Sequence, residues 1–124
     1  MADLRLLNPF SMLVAGSSQT GKTFWVRTLL QQAAELYSRP PGPILFFYRE
    51  WQPQFEEFDA EFRPGMPCMD DFQKLSGLNA TVVMDDLMHQ VSGETAELFT
   101  MGCSRYGVNI IFITQNLFDK NSYF

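Results

Sequence analysis

With 124 residues, 46% of them hydrophobic and 19% charged, the chain is long enough for one packed core, and nothing in it is repeated or low in complexity. A formal charge of -5 and a pI near 4.7 argue against a broadly basic nucleic-acid-binding surface, while leaving room for contact through a few local side chains. No apolar run reaches the length of a membrane span, and Cys68 and Cys103, far apart and without C-x-x-C spacing, read as reduced thiols and not as a zinc site.

Residues 1–10 form a lead-in that Pro9 closes. Its Leu6-Leu7, with Met12-Leu13-Val14-Ala15, faintly imitates a signal peptide, but Asp3, Asn8 and Pro9 interrupt the pattern, and a non-secreted protein is expected. Ser11 to Ala15 reads as a short buried strand. Phe24 to Tyr37 reads as a helix, with apolar residues at 25/26, 29/30, 33 and 36/37, and Ser38-Arg39-Pro40-Pro41-Gly42-Pro43 ends it. Ile44 to Tyr48 is a continuous apolar run, the pattern of a second buried strand. Residues 53–63 are expected to hold a short helix carrying Phe55, Phe58 and Phe62, and a further short helix begins at Asp70-Asp71. Thr81 to Asp86 reads as a third, β-branched strand ending in two carboxylates. A helix is expected from Ser92 to about Arg105, stopped by Gly107, before a fourth strand at Asn109–Thr114. Four strands alternating with helical segments predict one α/β domain over residues 1–124, its sheet mostly parallel and flanked by helices.

Between the first strand and the first helix lies Gly16-Ser17-Ser18-Gln19-Thr20-Gly21-Lys22-Thr23, which fits G-x-x-x-x-G-K-[ST]. Strand, glycine-rich loop and helix are the context that gives this pattern chemical meaning. Glycines at 16 and 21 let the backbone turn so that successive N–H groups face phosphate oxygens, at the positive end of the following helix. Lys22 can then reach the β- and γ-phosphates of a nucleotide, and the Thr23 hydroxyl can ligate Mg²⁺.

The second wall of such a site is a carboxylate at the end of a neighbouring strand. Asp85 is assigned the metal and Asp86 the role of general base toward the attacking water. Met69-Asp70-Asp71 repeats the same triplet, but Pro64, Gly65 and Pro67 precede it, so no strand delivers those acids. Gln115, just past the last strand, can hydrogen-bond the γ-phosphate or the water. Arg105 is better read as a cation at a helix C-terminus than as an arginine finger for a neighbouring subunit. His89, the single histidine, carries no assignment.

With these residues placed, the chain resembles the FtsK/HerA-type ATPases of viral genome packaging. The resemblance is carried by Gly16 to Thr23, Phe47 to Pro53, Val82 to Met88, and Leu98-Phe99-Thr100 leading to Ile111 through Phe118. It implies a RecA-like P-loop NTPase fold in which the sensor strand lies between the phosphate-loop strand and the Asp85 strand. It further implies an ATP- and Mg²⁺-dependent enzyme, a homo-oligomeric ring moving double-stranded DNA, contact with a capsid or portal protein, and a place inside a host cell or with the virion. Three features depart from the family. Asp86 stands where much of the superfamily has Glu, and Cys103-Ser104-Arg105-Tyr106 stands where near relatives have a histidine pair. Relatives also continue beyond the sensor strand, so the sequence is read as the N-terminal and central part of the family's core. Another P-loop NTPase, helicase-like or a nucleotide kinase, and a non-hydrolysing nucleotide-binding module are the alternatives. No arginine-rich lid of the kind a kinase carries is visible.

Overall fold

The computed structural model describes residues 6–15, 19–85, 87 and 102–114. Its strands are β1 (Ser11–Ala15), β2 (Ile44–Tyr48), β3 (Glu61–Pro64), β4 (Thr81–Asp85) and β5 (Asn109–Thr114), and its helices α1 (Gln19–Gln31), α2 (Ala33–Leu36) and α3 (Met69–Lys74). The strands form one sheet in the order β1-β5-β4-β2-β3, and every pairing is parallel. Strand β5 therefore lies between β1 and β4, the order expected of a sensor strand.

Over β2, β4 and β5 both faces of this sheet are covered, as a parallel sheet requires. Strand β1, expected from the sequence to be buried, is instead an edge strand that leaves Leu13 exposed on one face. Alternation along the strands sends Leu45, Phe47, Val82, Met84, Ile110 and Phe112 to one face, where Phe72 of α3 packs against them. Phe46, Val83, Ile111 and Ile113 go to the other, against Val26, Leu29, Leu30 and Ala33. That second layer is laid down by α1 and α2. The predicted single helix is broken at Gln32 (φ -101, ψ 12), and it starts earlier than expected, inside the glycine-rich motif. Only one of the neighbouring apolar residues 25 and 26 can face the sheet: Val26 is buried, whereas Trp25 remains about half exposed. The Tyr37 hydroxyl lies 2.7 Å from Thr81 Oγ1, and burial pushes its pKa up while this bond acts the other way.

The helix expected at 53–63 is replaced by a single 3₁₀ segment, Pro53–Glu57, followed by strand β3. The reason is an aromatic cluster that holds the chain flat against β2: Phe62 stacks on Phe55 with centroids 5.5 Å apart, and Phe46 meets Phe55 at 4.8 Å and Phe62 at 5.0 Å. Asp70 and Asp71 start α3 as expected. The Asp71 carboxylate accepts from the Cys68 N–H at 2.8 Å and from Arg63 at 3.0 Å, and Asp70 pairs with Lys74 one turn on. Residues 102–106 are helical and end at Gly107, whose φ of +68 is the left-handed conformation of a helix stop. Cys103 packs against the core there, and burial pushes its thiol pKa up. Both cysteines are free. The segment 92–101, assigned to the same helix from sequence, lies outside the described residues.

At the amino ends of the strands three asparagines form one network. Asn8 donates to the Asn109 side-chain oxygen at 2.8 Å, and Asn109 donates in turn to Asn79 at 3.1 Å and to the Ala80 carbonyl at 3.0 Å. Asn79, left-handed at φ 52, donates to the Pro40 carbonyl at 2.9 Å. This ties the segments that lead into β1, β2, β4 and β5 to one another. Asn109→Ala leaves Asn8 and the Phe10 N–H without their acceptor in a buried place, and is expected to cost about 2–3 kcal/mol in urea unfolding.

Candidate nucleotide site

The carboxyl ends of the strands are where open α/β sheets place their chemistry. Ala15 of β1 stands opposite Thr114 of β5, and Asp85 of β4 lies between Ile113 and Tyr48 in register. Alternation puts Asp85 on the same face as Val83, the face that α1 covers. Lys22 and Thr23 enter this corner from the start of α1, and both are buried.

The Lys22 ammonium donates to the Thr114 main-chain carbonyl at 2.6 Å, so a buried positive charge is already held at the edge of the sheet. Thr23 is 1% exposed and its hydroxyl has no hydrogen-bond partner among the described residues. A buried polar group left unpaired is costly, and such exceptions call for an explanation. A metal ligand is one: the hydroxyl lone pairs remain available, and Asp85 supplies a carboxylate at the same end of the strands. The residues present therefore fit Mg²⁺.

Lys22, Thr23 and Asp85 are thus brought to one corner. Gln19, Thr20 and Gly21 form the opening of α1. Gly16, Ser17, Ser18, Asp86 and Gln115 lie outside the described residues, as does His89. Arg105 belongs to the other end of the sheet, close to the start of β5. Asp70 and Asp71 serve the start of α3 and take no part here.

Two features escaped the sequence reading. The anchor for Lys22 is a carbonyl, which every residue carries, so no side-chain pattern announces it. Arg27, one turn beyond Thr23, forms an ion pair with Glu57 and so fastens α1 to the 3₁₀ segment. The fold was needed to bring residues 27 and 57 together.

No family model and no curated protein matches this sequence. Among solved structures the chain is similar to Thermomonospora curvata EccC (ATPases 2 and 3), in complex with a signal sequence peptide. The TM-score is 0.51 and the identity 16%, over 87% of this chain and 25% of that one. The chain spans about a quarter of that structure's length. At this identity the likeness is one of fold. The fold is α/β, a five-stranded parallel sheet flanked by helices, and is consistent with a P-loop NTPase-like fold. No described helix is long and apolar enough to cross a membrane.

Proposed function

We propose that this chain is a Mg²⁺-dependent ATPase domain that works on double-stranded DNA as part of a homo-oligomeric packaging motor. The observation that carries the ATPase reading is the buried Lys22–Thr23 pair at the head of α1, one charge held at the strand ends and one hydroxyl without a partner among the described residues. The resemblance in sequence to viral packaging ATPases supports the finer part: DNA, the ring, and a capsid or portal partner inside the host cell or virion.

Lys22 would exchange its carbonyl for β- and γ-phosphate oxygens of the substrate, and Thr23 and Asp85 would hold the metal. Mg²⁺, when bound, supplies neutralising charge for those oxygens. Asp86 takes the proton of the attacking water and Gln115 orients that water or the γ-phosphate.

The test is ATP binding and hydrolysis with Mg²⁺, with and without duplex DNA, for this chain, Lys22→Ala and Asp86→Asn. DNA-stimulated turnover lost in both variants supports the motor. Binding lost only in Lys22→Ala, without turnover in any form, replaces it by a nucleotide-binding module. No binding at all overturns the reading. Thr23→Val gives a separate check. It removes the orphan hydroxyl at nearly constant volume, so the melting temperature without ligand should hold or rise, while Mg²⁺–nucleotide affinity falls about tenfold.

A further inference from the structure

The opposite edge of the sheet carries a second concave feature. A cleft of about 580 Å³ lies among the segments that enter β1, β2, β4 and β5, with Arg39, Leu78, Asn79, Ser104, Arg105 and Tyr106 among its walls. Each of these segments precedes a strand, so the cleft sits at the amino edge, at the far end of the strands from Lys22 and Asp85.

Its electrostatics run against those of the chain. The protein carries a formal charge of -5, yet among the described residues no carboxylate lines this cleft and two arginines do. Both are exposed, and neither guanidinium has a carboxylate partner among the described residues. The Arg105 guanidinium lies over the Tyr106 ring, 5.8 Å from its centroid. Arg39 is held from its backbone: its N–H donates to Asn8 at 3.2 Å, and its carbonyl accepts from Asn79 at 3.3 Å. The asparagine network thus fixes one wall in advance, and the stop at Gly107 ends the short helix that carries the other. Leu78, 49% exposed, adds an apolar surface beside the charges.

We infer that this cleft is a second binding site, for a phosphate ester of nucleotide size. Two unpaired guanidinium forks match phosphate oxygens better than a point charge does, the Leu78 and Tyr106 surfaces suit a sugar or base, and the volume falls in the range of small-ligand pockets. The ester can belong to a free nucleotide or to a nucleic-acid backbone. The site does not depend on the ATP reading, because it shares no residue with that corner.

The test is equilibrium binding of AMP and, separately, of a short DNA oligonucleotide, both in a Lys22→Ala background that disables the phosphate loop. At least one probe should bind, and Arg39→Gln with Arg105→Gln should weaken it by about tenfold. For the oligonucleotide, the slope of log affinity against log salt should fall by about two. AMP binding identifies a free nucleotide; binding of the oligonucleotide alone identifies the backbone. Arg39→Lys with Arg105→Lys keeps the charge, loses the fork, and should fall between the two. Because both arginines are exposed and lack ion pairs, the melting temperature of the glutamine variant should match its parent. The inference is overturned if neither probe binds, or if the glutamine variant binds as well as its parent.

Discussion

Lys22→Ala is expected to lower ATP turnover by about two to three orders of magnitude, the loss typical when one preorganised stabilising group is deleted. Lys22 is 6% exposed and its ammonium lies 2.6 Å from the Thr114 carbonyl, and Thr114 stands beside Ala15, the last residue before the glycine-rich loop. The charge is therefore held at the strand ends before any phosphate arrives, and binding asks it only to exchange that carbonyl for phosphate oxygens. Folding should suffer far less than activity, because removing a buried ammonium also removes the cost of taking it out of water. Lys22→Arg sharpens the test. Arginine keeps the charge, but its planar head is too large for a side chain packed this closely, so it should also fail. The measurements are phosphate release and calorimetric binding, with a melting curve for each variant. Turnover near the parent level in Lys22→Ala would remove Lys22 from the site.

The strands legible in the sequence are those that are buried on both faces or enter the motif. Ile44–Tyr48 is an unbroken apolar run, and Thr81–Asp85 and Asn109–Thr114 are apolar between polar ends, because the sheet is covered on both sides there. Their alternation with helical segments already implied parallel pairing. Strand β3 was not legible. Glu61-Phe62-Arg63-Pro64 has one aromatic residue among polar ones and a terminal proline. It is a strand because Leu45 to Tyr48 offer a free edge and Phe62 joins the aromatic cluster. Proline is tolerated there since an edge strand has one side unpaired.

The site divides in the same way. Lys22, Thr23 and Asp85 follow from local rules, a motif and a strand end. The Thr114 carbonyl, the Arg27–Glu57 pair and the asparagine network follow from long-range contacts between residues that singly look like turn or surface positions. The position of β5 between β1 and β4 belongs to that second group as well. It came from the family resemblance and from no feature of periodicity.

Gly42→Ala is expected to be the most destabilising single substitution in the loops. The sequence reads Gly42 as part of a proline-rich helix breaker. The structure gives it a stricter task. A Cβ built on Gly42 would lie 1.8 Å from the Leu78 carbonyl oxygen, 2.9 Å from its carbon and 3.2 Å from the Asn79 carbonyl carbon. All three are main-chain atoms, so no side chain can swing aside. The two loops must touch because the Gly42 N–H donates to the Asn79 carbonyl at 3.0 Å and the Thr81 N–H to the Pro43 carbonyl at 2.9 Å, which start the β2–β4 ladder at Ile44 and Thr81. An alanine must push them apart, and the first rungs of the central pairing go with them. The cost should reach about 3 kcal/mol or more, a large share of the roughly 5–15 kcal/mol that holds a domain folded. In thermal melts this is a fall of roughly 10 °C. Gly77→Ala is the matched control: its φ of +81 makes alanine unfavourable, but nothing lies within 4 Å of the new carbon, so it should cost only about 1–2 kcal/mol. If the two variants unfold at the same urea concentration, close approach is not what keeps glycine at position 42. If Gly42→Ala alone collapses, the contact that aligns β2 with β4 also shapes the wall of the amino-edge cleft, since Leu78 and Asn79 belong to both.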